Sequence, residues 1–76
     1  MPITVMEYRR RTKGLTQIEL AQHVGLSQPE ISLIESGHAQ PKPDVRAALA
    51  RTLDVDPLHL QLDYAEWLRV LRDETA

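Results

Sequence analysis

A chain of 76 residues with 42% hydrophobic content makes one small domain whose core only just outweighs chain entropy. With no Cys, no Phe, one Trp and two Tyr, the core must be aliphatic, and zinc fingers, thiol catalysis and disulfide staples are excluded. The net charge of −2 is uneven: residues 1–53 hold seven Lys and Arg against five Asp and Glu, whereas residues 54–76 hold two against six. The front is therefore mildly basic, densest at Arg9, Arg10, Arg11 and Lys13, and the tail is acidic. Neither a signal-peptide pattern nor an apolar run of membrane-span length is seen, so a soluble cytoplasmic protein with no membrane partner is expected.

Taken in chain order, Met6 to Lys13 is predicted to be a helix stopped by Gly14, with basic residues in its last turn where the helix dipole favours them. Thr16 and Glu19 form a capping box that starts a second helix, which buries Leu20, Ala21 and Val24 and stops at Gly25. Ser27 caps a third helix with Pro29 in its first turn, ending at Gly37. HAQPKPD is a loop, and Pro43 opens a fourth helix to Leu53, with Val45, Ala48, Leu49 and Leu53 at helical spacing. Asp56-Pro57 signals a fifth helix, although Leu58-His59-Leu60-Gln61-Leu62 alternates with the period of a strand. Asp63 to Glu74 is a last helix carrying Tyr64, Trp67, Leu68 and Leu71 on one stripe.

Only Gly25-Leu26-Ser27 separates the second helix from the third. So short a turn makes the two cross steeply and closely. Close crossing needs a small residue, Ala21; the turn needs Gly25; and Ile31 and Ile34 give the third helix its inward face. These spacings define a helix-turn-helix over residues 16–37, with residues 28–36 as the outward-facing rod. At about 100° per residue, Ile31 and Ile34 point inward while Pro29, Ser32, Leu33 and Ser36 lie on the opposite arc and Gln28 stands at the exposed N-terminal end. Such an outer face suits base edges: Gln matches the N6/N7 edge of adenine, Ser matches several bases, and Leu or Pro touches a thymine methyl. It carries no Arg or Lys for guanine, which points to A·T contacts near Gln28. Leu33 also fits an edge-of-core position.

Arg10, Gly14-Leu15-Thr16-Gln17, Glu19-Leu20-Ala21, Val24-Gly25-Leu26-Ser27, Ile31-Ser32, Ile34-Glu35, Gly37, Pro41 and Leu49-Ala50 resemble the lambda-repressor-like helix-turn-helix domains, the Cro/Xre family, over roughly residues 6–60. The resemblance implies an all-α fold: a compact five-helix bundle over residues 1–62, plus an additional C-terminal amphipathic helix over 63–76. It further implies a double-stranded DNA-binding transcriptional regulator, a repressor, whose third helix enters the major groove of a pseudo-palindromic operator as one half of a homodimer. Base reading falls to Gln28, Pro29, Ser32 and Leu33. Phosphate contacts fall to Gln17, Gln22, Lys42 and Arg10, with the N–H groups opening the second helix as an anion site. Arg10 and Glu35 match positions that pair in the family.

The tail stripe either completes the core or joins Leu58, Leu60, Leu62, Trp67 and Leu71 in a dimer contact, and its acidic residues Asp63, Glu66, Asp73 and Glu74 face away from DNA or meet a protein partner. An enzyme is not expected: His23, His38 and His59 lack metal-ligand spacing, no nucleophile and base stand together, and no cofactor or metal motif appears. The alternative to a repressor is an interaction module of the same fold, an antitoxin or a restriction-modification controller.

Overall fold

The computed structural model describes residues 3–75. Five α-helices follow one another: α1 (Val5–Thr12), α2 (Gln17–Val24), α3 (Gln28–Glu35), α4 (Pro43–Leu53) and α5 (Tyr64–Thr75), with a single 3-10 turn at Pro57–His59 between α4 and α5. The all-helical expectation holds, and among the described residues no strand forms and no helix is long and apolar enough to cross a membrane.

Each helix start has a local cause. Thr16 and Ser27 both accept from the backbone N–H three residues on, while Glu19 and Glu30 return the bond to the cap backbone, so α2 and α3 open on complete capping boxes. Gly25, at φ 73°, ends α2 in the left-handed conformation, and Leu26 N–H then donates to Ala21 O at 3.0 Å. Thr4 caps α1 by accepting from Glu7 N–H at 3.2 Å. Asp63 Oδ1 accepts from Glu66 N–H at 2.9 Å and starts α5, so this acidic residue is a cap rather than part of a solvated face.

Met6, Leu20, Ala21, Ile31, Ile34, Leu49, Leu53 and Leu60 form the core, with Leu15, Val24, Leu26, Ala39, Val45 and Val55 packed against it. Each full burial of a Leu, Ile or Met contributes about 1.5–3 kcal/mol. Arg9, on the inner edge of α1, reaches across to α4: its Nε donates to Leu53 O at 3.0 Å, adding a cation to that helix's carbonyl end. α5 lies over α1 through a cluster of three rings, Tyr8 and Tyr64 at 4.3 Å between centroids and Trp67 at 6.1 Å from each.

Two expectations are corrected here. The fifth helix expected from Asp56-Pro57 is only the 3-10 turn, and the chain beyond it runs alongside the N-terminal segment: Thr4 and Asp63 make an antiparallel bridge. The cause is hydrogen bonding. The N–H groups of Val5 and Met6, which open α1 and have no partner within it, donate to Leu62 O at 2.8 Å and Leu60 O at 3.0 Å. Those carbonyls point to the start of α1 rather than along an axis of their own. Leu60, expected at a dimer contact, is fully buried in the core instead: it closes the 3-10 turn at φ −54° and ψ −43°, and its carbonyl accepts from Met6 N–H.

Candidate nucleic-acid interface

Helix α3 presents the arrangement that a groove reader needs. Ile31 and Ile34 face the core, Glu35 is 3% exposed beside them, and Pro29, Leu33 and Ser36 are exposed on the other side. Gln28 and Ser32 are half-buried at the margin. The exposed side of the rod is thus not covered by the described residues, and Leu33, at 49% exposure, is a surface residue rather than part of the core edge.

Behind this face runs a polar network of four side chains. Arg10 grips Glu35 with two bonds, Nε to Oε2 at 2.7 Å and NH2 to Oε1 at 2.9 Å, and its NH1 donates to Leu15 O at 2.8 Å. The bond to Glu35 raises the Arg10 pKa, against the opposing effect of burial. Glu35 Oε1 also accepts from Gln17 Nε2 at 3.2 Å, and Gln17 Oε1 accepts from Gln28 Nε2 at 2.7 Å. A paired carboxylate only accepts, so Gln17 must turn its NH2 inward and its oxygen outward. That oxygen in turn demands the NH2 of Gln28. The charge at Glu35 therefore dictates the orientation of both amides, and one N–H of Gln28 is engaged while its oxygen and second N–H remain for another partner.

Arg10 had been expected both to pair with Glu35 and to meet phosphate. The pair forms: three of its guanidinium N–H groups are donated to Glu35 and Leu15, with its side chain 12% exposed, behind α3. Gln17 stands at the first turn of α2 as expected, with its amide tied into the network, and Gln22 and Lys42 are exposed, Lys42 capping α4 by its backbone without a side-chain bond. Arg11 pairs with Glu7 at 2.6 Å, and Lys13 is exposed.

Two contributors at the carbonyl end of α3 escaped the sequence reading. Thr4 Oγ1 donates to Glu35 O at 2.6 Å, and Gln61 Nε2 donates to both Ile34 O at 3.0 Å and Ala39 O at 2.8 Å. Both partners lie 22 to 31 residues away in sequence, beyond the reach of any local pattern.

The residues expected at a dimer contact divide. Leu58 is 82% exposed, Leu62 and Leu71 are half-buried, and Trp67 packs its ring against Tyr8 and Tyr64 with Nε1 buried and unpartnered among the described residues. Leu68, on the stripe expected either to complete the core or to meet a second copy, is 40% exposed. Among the described residues no group of three or more His, Asp or Glu is placed to hold a metal ion.

Two capped helices joined at a left-handed glycine, the second with its inner side packed and its outer side open, define a helix-turn-helix protein of the DNA-binding class. Sequence comparison agrees, since a helix-turn-helix family model (HTH_3) matches residues 5–60. The chain belongs to this helix-turn-helix family, of the Cro/C1 type. Among solved structures it is similar to a hypothetical transcription factor, NHTF, from Neisseria, at 29% identity and a TM-score of 0.71, over 87% of this chain and 74% of that one. Comparison with curated proteins returned no match.

Proposed function

We propose that the protein is a sequence-specific transcriptional regulator, a repressor, that binds a pseudo-palindromic duplex as a homodimer with α3 of each copy in the major groove. The observation that carries this reading is the preset amide of Gln28. Held by Gln17 at 2.7 Å, it offers an acceptor and a second donor side by side at the open end of α3. That pair complements the N6 donor and N7 acceptor of adenine. Ser32 and the exposed Pro29 and Leu33 extend the same face, the two apolar groups suiting thymine methyls.

Phosphate binding is assigned to Lys42, Gln22 and the N–H groups opening α2, with Gln17 contributing through its backbone N–H. So few cations give one copy a weak grip. Pairing two copies on half-sites about 34 Å apart raises affinity steeply. The apolar side chains exposed near the C-terminal end, Leu58 and Leu68, support an interface between copies, with Trp67 and Leu71 beside them and the acidic residues of α5 directed to solvent or to a protein partner. Residues 1–62 are assigned to DNA and 63–76 to association, in a cytoplasmic protein without catalytic activity.

Selection from a randomised duplex pool, followed by gel-shift at graded salt, tests the reading. Enrichment of an inverted repeat with A·T pairs at fixed half-site positions is expected, whereas retention of all sequences alike, even at low salt, refutes it.

A further inference from the structure

The carbonyl end of α3 is the least self-sufficient part of the reading helix. Its last carbonyls have no partners within the helix, and α3 has only eight residues with which to hold its own direction. Leu33 O accepts from the N–H groups of His38 and Ala39 at 2.9 and 3.2 Å. Ile34 O accepts from Gly37 N–H at 3.0 Å and also from Gln61, and Glu35 O accepts from Thr4. These two side chains come from the segments that run antiparallel at the Thr4–Asp63 bridge, fastened by Tyr64 N–H to Ile3 O at 2.9 Å and Val5 N–H to Leu62 O at 2.8 Å.

Gln61 does more than meet a carbonyl. Its single NH2 group spans Ile34 O and Ala39 O, one at the end of α3 and the other in the loop that leads to Lys42, so helix and loop hang from the same nitrogen. Its oxygen faces Arg46 NH2 at 3.5 Å, and the same guanidinium donates to Gln40 Oε1 at 2.8 Å within that loop. Both donors of one amide are used on backbone, which fixes its orientation as firmly as the carboxylate fixes Gln17.

We infer that Gln61 and Thr4 are positioning residues of DNA recognition, which set the angle of α3 and the place of the 37–42 loop from the carbonyl end, as the Arg10–Glu35–Gln17 network sets the amide of Gln28 from the other. The inference rests on the DNA reading above. Neither side chain touches DNA. Losing either one frees the far end of the rod to pivot about its packed Ile31, which misplaces base contacts while leaving the charge that attracts any duplex unchanged.

Three variants of the full chain test this. Gln61→Leu keeps the volume and removes both bonds. Thr4→Asp keeps an acceptor for Glu7 N–H, and so the α1 cap, but has no proton to give Glu35 O. Thr4→Ser keeps both roles. Each is compared with Val55→Ala, a core-edge change that removes none of these bonds. Two readouts are taken: the ratio of affinities for the selected duplex and a random one, and amide hydrogen exchange at Ser36 to Ala39 without DNA. The expected result is a specificity ratio about tenfold lower for Gln61→Leu and Thr4→Asp, with faster exchange confined to residues 36–39. Thr4→Ser should match the unsubstituted protein, and Val55→Ala should keep its ratio. Unchanged ratio and exchange in folded Gln61→Leu and Thr4→Asp overturn the inference, as does an equal loss in Val55→Ala. If Gln61→Leu fails to fold, the Thr4 pair decides. If the unsubstituted protein prefers no sequence, the DNA reading falls, and local exchange alone decides whether these side chains hold the end of α3.

Discussion

A carboxylate with 3% exposure survives inside so small a core because three donated hydrogen bonds converge on it, two from Arg10 and one from Gln17. Replacing a buried ion pair wholesale is often neutral, but removing one partner strands the other. Glu35→Gln should therefore cost about 3 kcal/mol, because Arg10 keeps its charge while its acceptor becomes neutral. A lower urea midpoint with an unchanged slope is the measurement that checks it. The same substitution should also blur base preference, since a glutamine at this position no longer dictates which way Gln17 turns. Gln28→Ala acts more directly. It should lower discrimination by about 1–3 kcal/mol at one position of each half-site while leaving random-duplex affinity in place. Equal weakening on every sequence would instead make Gln28 a backbone contact.

At the scale of elements, α2 and α3 are eight residues each, too short to persist alone, so their ends matter. Bonds from the cap backbone and hydroxyls of Thr16 and Ser27 hold Glu19 and Glu30 below their ordinary value of 4.5. A depressed folded pKa means stability that is complete above the unfolded value and lost as pH falls through the folded one. Both capping boxes should thus weaken from about pH 4.5 downward, and Thr16→Ala and Ser27→Ala should flatten that acid limb in a thermal-melt series against pH. Gly25 joins the two helices at φ 73°, and a Cβ there would meet nothing within 4 Å. The requirement is conformational rather than steric, so Gly25→Ala should cost only the left-handed penalty of about 1–2 kcal/mol, read as a fall of several degrees in Tm with the helical signal retained.

On the scale of the whole molecule, α5 is fastened mainly through rings. Tyr8 and Tyr64 lie in contact, and the hydroxyl of Tyr8 pushes the Tyr64 pKa up. Trp67 completes the cluster with a buried, unpartnered N–H among the described residues, a desolvated donor of the kind that costs about 1–3 kcal/mol. Trp67→Phe should consequently be close to neutral for stability, because it sheds that donor along with part of the ring. Trp67→Ala should lose several kcal/mol, in keeping with large-to-small changes in cores. Sedimentation of the Phe variant then bears on association: a folded monomer in place of a dimer assigns the indole to the interface between copies, and an unchanged dimer assigns it to the fold. The charge division of the chain has its counterpart here, since Glu66, Asp73 and Glu74 are exposed on α5.

What the linear chain determined by itself was whatever is decided within one or two helical turns. Thr16 with Glu19, Gly25 between two apolar repeats, and Pro43 ahead of Val45 and Leu49 act on neighbours three or four positions away, so α2, α3, α4 and the exposed side of α3 were legible in it. The tertiary structure decided everything that depends on a distant partner. The resemblance implied that Arg10 pairs with Glu35, 25 positions on, but only the packed structure shows both of its bonds to that carboxylate and a third to Leu15 O. The run around Leu60 became a 3-10 turn whose following carbonyls, Leu60 O and Leu62 O, meet the open N–H groups of α1, and Thr4 and Gln61 reach α3 from the two segments so joined. Periodicity reports which side of a helix is apolar, but which donor meets which acceptor is settled only when the packed core brings them within about 3 Å.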